Sequence, residues 1–159
     1  YRRKFKVDKA NYLLHFEGVD YQTKVFIDRK EVYSHCGAYS PFVIPLSLDD
    51  GEHEIVVLVH DTYNKWQMRG KQRTRGENYE CWYTQFTGIF QDVYLEKVGN
   101  NYFEKVLFSG DKNGLVTFDI DLKEKADVRI SIFQKETLVD EFVLQRKKTL
   151  FWNKTRKEY

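Results

Sequence analysis

The sequence predicts an all-β chain made of two antiparallel sandwiches in series, and three observations carry that expectation. Nearly every patterned segment alternates apolar and polar residues at period two, as half-buried strands do. Turn signals rich in Gly, Asp and Asn separate these segments at spacings of about 8–12 residues. No stretch sustains the 3.6-residue period of a helix of ordinary length.

Taken in order, Lys4 to Val7 and Tyr12 to Phe16 are short, aromatic and branched, with the turn-like Asp8-Lys9-Ala10-Asn11 between them. Thr23 to Ile27 and Glu31 to Tyr33 flank Asp28-Arg29-Lys30 and predict a hairpin. Phe42 to Leu46 carries Pro45 and follows Pro41, which places it at a sheet edge. Asp49-Asp50-Gly51 is a turn, and the apolar centre of His53 to His60 predicts a strand covered on both faces. Asp61 to Glu80 has no period and reads as a long functional loop. Ile89 to Val98 predicts one alternating strand with Ile89, Val93 and Leu95 inward. Beyond Gly99-Asn100-Asn101 a second unit begins, with strands over Val116–Leu122, Val128–Ile132 and Thr137–Leu144, the signature of an immunoglobulin-like sandwich. That fold takes about 100 residues, so residues 99–159 read as a truncated copy, and Arg146 to Tyr159 has no pattern.

At 159 residues, with 42% hydrophobic and 31% charged side chains, the composition is that of a globular protein and not of a disordered or membrane one. A net charge of +2 supplies no field for nucleic acid or anionic lipid. The apolar run Ile55 to Val59 is far too short to span a bilayer. Tyr1-Arg2-Arg3 reads like the start of a piece cut from something longer, which leaves the compartment, bacterial cytoplasm or exported, open. Cys36 and Cys81 lack metal-ligand spacing and His15, His35, His53 and His60 form no ligand pair, so neither a metal nor a cofactor is expected. A disulfide between the two cysteines stays open, and Asn153-Lys154-Thr155 is a glycosylation sequon of the kind common by chance.

Catalytic motifs are missing: there is no Gly-x-Ser-x-Gly elbow, phosphate loop or zinc helix. Asp49/Asp50 and Asp119/Asp121 read as turn and outward-facing residues, so no catalytic residue is assigned and the chain alone is not expected to be an enzyme. The candidate binding site is the long loop with the aromatic run after it. Trp66, Trp82 and Tyr83 can stack on the C–H face of a sugar, and Arg69, Lys71 and Gln72 can bond its hydroxyls. The competing reading makes Trp82 and Phe86 plain core and the basic residues a solvated loop.

These residues resemble a known family. Phe16-Glu17-Gly18-Val19-Asp20, the Val25-to-Asp28 hairpin and Gly37-Ala38-Tyr39-Ser40-Pro41-Phe42 are similar to the amino-terminal sugar-binding domain of glycoside hydrolase family 2. So are Arg69-Gly70-Lys71-Gln72, Trp82-Tyr83-Thr84 and the run from Thr87-Gly88-Ile89 to Leu95-Glu96. The resemblance covers residues 1–98 and implies a jelly-roll β-sandwich; residues 99–159 fit the family's next, immunoglobulin-like module by pattern only. It also implies a carbohydrate partner, a β-glycoside, and a catalytic barrel in the parent protein that hydrolyses it with retention, through two carboxyls about 5–5.5 Å apart. Such a barrel takes about 250 residues and lies outside this chain. Homo-oligomer formation is left open. Several galactosidase and glucuronidase members carry a substrate-reaching acid six places before the Gly-Ile turn; that place is Trp82 here, which exchanges charge for a stacking surface.

Three functions therefore compete. The chain is the non-catalytic amino-terminal region of a family 2 β-glycosidase, or a free-standing carbohydrate-binding module. The third, a single-stranded nucleic-acid binder, rests only on basic and aromatic residues sharing a loop.

Overall fold

β-Branched and aromatic residues at alternate positions pair into ladders wherever one face finds a second sheet to bury against. The computed structural model describes residues 1–62, 66–112, 115–146 and 150–153, and among these every regular element is a strand. The strands are β1 (Arg2–Val7), β2 (Ala10–Phe16), β3 (Val19–Asp20), β4 (Gln22–Ile27), β5 (Lys30–Cys36), β6 (Phe42–Leu48), β7 (Gly51–His60), β8 (Gly88–Ile89) and β9 (Val93–Val98). They are followed by β10 (Phe103–Gly110), β11 (Leu115–Leu122), β12 (Ala126–Gln134), β13 (Thr137–Arg146) and β14 (Leu150–Asn153). The chain divides into two compact units, Tyr1–Val98 and Gly99–Tyr159.

In the first unit, one antiparallel sheet has the order β1-β7-β4-β5 and faces a second of order β6-β2-β9. Tyr12, Leu14 and Phe16 of β2 and Phe42, Ile44 and Leu48 of β6 meet Val25 and Ile27 of β4 and Val57 of β7 in a single core. Phe16 stacks on Phe42, and Phe42 meets the rings of Tyr33 and His35 on β5 of the facing sheet. β1 and β2, neighbours in sequence, belong to different sheets, so the turn at residues 8–9 is a crossing between layers. The expected hairpin is present as β4 and β5, and β6 with its proline is an edge strand.

Two first-unit expectations need correcting. β7 is covered on one face only: Val57 is 4% exposed and its neighbour Leu58 is 55% exposed. Its ladders to β1 and β4 occupy both edges, yet a second sheet lies over just one side, so an unbroken apolar run does not mean two-sided burial. The stretch from Ile89 to Val98 is also not one strand. Gly88–Ile89 pairs with β3, Val93–Val98 pairs with β2, and Val93 is half-exposed.

The second unit joins β10, β11 and β14 in one sheet and β12 with β13 in another. Phe118 of β11 meets Phe142 of β13 edge to face at 6.3 Å, which closes the space between the two sheets. The strands expected near 116–122, 128–132 and 137–144 are present; β10 and β14 were not foreseen. In β10 the run Val106-Leu107-Phe108 hides any alternation, and β14 is defined by its pairing with β11.

Candidate functional site

β7 ends at His60, and beyond it the Asp61 carboxylate turns into the fold. It is 1% exposed and takes hydrogen bonds from Arg69 Nη2 at 2.9 Å, Gln67 Nε2 at 3.1 Å and Gln85 Nε2 at 2.8 Å. The Thr62 N–H at 2.6 Å and the Thr87 hydroxyl at 3.3 Å complete the set. Burial pushes this carboxyl up, but the bonds from Gln85, Arg69 and the Thr62 N–H together outweigh it and hold the pKa below its ordinary value. A second buried tie lies beside it. Gln72 Nε2 donates to Asp20 Oδ2 at 2.9 Å, and Gln72 Oε1 accepts the Phe86 N–H at 3.0 Å. Burial raises the Asp20 carboxyl, against the Gln72 hydrogen bond.

The loop backbone is stitched in the same place. Tyr83 N–H donates to Lys71 O at 2.9 Å and Arg73 N–H to Tyr83 O at 2.8 Å, forming the parallel bridge between Gln72 and Tyr83. Gly70 turns with φ +57°, and Gly88 with φ +120°, where an added Cβ would lie 2.1 Å from the Tyr1 hydroxyl oxygen. Glycine is therefore required at the pivot into β8.

The five residues named from sequence fall into two groups. Lys71, Trp82 and Tyr83 are at the surface, with Tyr83 66% exposed. Arg69 and Gln72 are each 4% exposed, and their polar ends face Asp61, Gln67, Asp20 and the Phe86 backbone. The bridge at Gln72 and Tyr83 brings both groups to one locality. On the outer side, the Lys71 ammonium sits 5.4 Å from the Tyr83 ring centroid and the Arg75 guanidinium 4.4 Å from that of Tyr79. The Tyr79 and Trp82 rings lie 6.2 Å apart, so three aromatic rings and two cations share this exposed ledge. Trp82 and Phe86 are 38% and 40% exposed and are not plain core. Trp66 is exposed as well. Cys36 and Cys81 are exposed free thiols.

Asp61, Asp20, Gln67 and Gln85 were not identified from sequence. The ties of Asp61 to Gln85 and of Asp20 to Gln72 cross 24 and 52 positions, which no periodic pattern reports.

No protein-family model matches the chain. A beta-galactosidase from Thermoanaerobacter pseudethanolicus is 29% identical over 118 residues, which is 70% of this chain and 15% of that protein. Among solved structures, a GH2 beta-galacturonidase from Eisenbergiella tayi bound to glycerol superposes with a TM-score of 0.65 at 22% identity. That match covers 96% of this chain and 27% of the other. This chain has the fold of the amino-terminal region of glycoside hydrolase family 2 enzymes. A beta-glucuronidase from Ruminococcus gnavus in complex with D-glucuronic acid superposes with a TM-score of 0.70 at 13% identity, over 98% of this chain and 30% of the other. The family 2-like chain thus spans less than a third of each of these proteins.

Proposed function

We propose that this chain is the non-catalytic amino-terminal region of a retaining β-glycosidase of glycoside hydrolase family 2, and that its long loop shapes the sugar pocket of a catalytic barrel elsewhere in the parent protein. The observation that carries the proposal is the exposed ledge of Lys71, Tyr83 and Trp82 on a loop pinned to a sandwich of that family's fold. The rings of Trp82 and Tyr83 offer the C–H face of a pyranose a flat apolar support. The Lys71 ammonium offers its hydroxyls, or the carboxylate of a uronic acid, a mobile donor. Arg69 and Gln72 serve the site from inside by holding Lys71 and Tyr83 in place. The names of the similar proteins put β-galactosides and β-uronides first among substrates to try.

The test is hydrolysis of 4-nitrophenyl β-galactoside, β-glucuronide and β-galacturonide by the parent protein that contains the barrel. Trp82→Ala and Tyr83→Ala should lower kcat/KM by about 10–100-fold, the scale of one lost buried contact of about 1.4–3 kcal/mol, without shifting Tm. An inert parent protein would sink the proposal. Glycan binding by the isolated 159-residue chain, with no hydrolysis by the parent, would favour a free-standing binding module.

A further inference from the structure

The loop that presents the ledge leaves the sandwich at Asp61 and rejoins it at Gly88. A segment of this length without regular structure samples many shapes unless side chains close it. Here one carboxylate does so at three places: its start at Thr62, its first third at Gln67 and Arg69, and its end at Gln85 and Thr87. Arg69 also donates to Gln67 Oε1 at 2.9 Å, and the Thr62 hydroxyl donates to the same oxygen at 3.1 Å. Residues 62, 67 and 69 are thereby cross-braced independently of Asp61.

The geometry points to Asp61 as the positioning residue of the ledge: it ties the start and first third of the loop to its end, so that Lys71, Tyr83 and Trp82 stand in place before any ligand arrives. The backbone path is short. From Arg69 the chain turns at Gly70, Gln72 N–H donates to Arg69 O at 3.2 Å, and Lys71 O receives Tyr83 N–H. Gln85, which donates to the Asp61 carboxylate, lies three residues from Trp82 in sequence. A ledge ordered in advance spares the ligand the entropy of arranging it. The role of the ledge in sugar binding rests on the proposed function above; its positioning by Asp61 does not.

The experiment uses the full 159-residue chain with Trp66→Phe and Trp152→Phe, so that Trp82 is the sole indole reporter. Acrylamide quenching of Trp82 and its fluorescence anisotropy are read at 20 °C, with Tm followed in parallel by circular dichroism. Asp61→Asn replaces one acceptor oxygen with a donor group facing donors. It should raise the Stern–Volmer constant at least twofold and lower the anisotropy at a temperature where the strand signal is unchanged. A drop in Tm with both Trp82 readouts unchanged would mark Asp61 as merely structural and overturn the inference, as would no change at all. If Asp61→Asn does not fold, Gln85→Leu decides: it keeps the carboxylate and removes one tie, and the same rise supports the inference whereas an unmoved Trp82 overturns it. No sugar enters this test, so its failure is distinct from a failure of Trp82→Ala to affect hydrolysis.

Discussion

Removing the Phe16 ring should cost the first unit a large part of its stability. Phe16 is fully buried on β2, opposite Phe42 on β6 and Val93 on β9. Its ring lies on Phe42 with centroids 4.8 Å and planes 9° apart. Phe42 in turn touches His35 at 4.4 Å and Tyr33 at 5.4 Å across the sandwich, so the stack joins the two sheets. Phe16→Ala withdraws about 100 Å² of apolar surface, roughly 2.5 kcal/mol at 25 cal/mol per Å². The void left behind adds to that, for a total of about 4 kcal/mol, inside the 3–5 kcal/mol range for such truncations. A unit of residues 1–98 has an unfolding entropy near 0.2 kcal/mol/K, so its Tm should fall by about 20 °C. Phe16→Leu keeps much of the volume and should cost only about 1.5 kcal/mol. Urea unfolding followed by tryptophan emission in a Trp152→Phe background reads the first unit; the midpoint should drop while the slope stays fixed. A loss below about 1 kcal/mol for Phe16→Ala would refute the reasoning, because it would mean that the aromatic stack is not what joins the sheets.

Gly88→Ala places a methyl group 2.1 Å from the Tyr1 hydroxyl oxygen and forces φ +120° on a residue with a Cβ. It should cost about 1–3 kcal/mol, whereas Gly76→Ala, with nothing within 4 Å, should change stability by less than about 0.5 kcal/mol; equal melting curves for the two would contradict the assignment of the pivot. His53 directs one ring nitrogen at Asp28 Oδ2 (2.6 Å) and the other at Asp49 O (2.9 Å), an arrangement that favours the imidazolium. Its pKa is raised, first by the Asp28 hydrogen bond, and Asp28 is lowered, first by His53. The histidine contribution is therefore full below its ordinary pKa of about 6.5 and fades as pH rises through the raised value. The aspartate contribution is full above about 3.9 and fades as pH falls through the lowered value. Thermal stability should hold a shoulder between those limits that His53→Gln removes, and an NMR titration of His53 at or below pH 6.5 would count against it.

Period-two alternation was enough to place most strands, since a residue facing a core must be apolar and its neighbour facing water need not be. Val116, Phe118, Ile120 and Leu122 are the clearest case, and the polar Asp28-Arg29 turn sets the hairpin between β4 and β5. The Thr87-Gly88-Ile89 pivot was legible as well, because a backbone with positive φ selects glycine, whereas the exposure of Trp82 and Phe86 was decided only by the fold. Partner choice was not legible. Whether β1 pairs with β2 or β7, and whether Leu58 faces a second sheet or water, depends on which distant strands arrive. The same holds for the site. Arg69 and Gln72 look like free donors in a basic loop, and only the folded chain delivers Asp61 and Asp20 to them. A buried ionic group needs a partner of opposite charge wherever the chain can supply one, and that requirement is met in space rather than along the sequence.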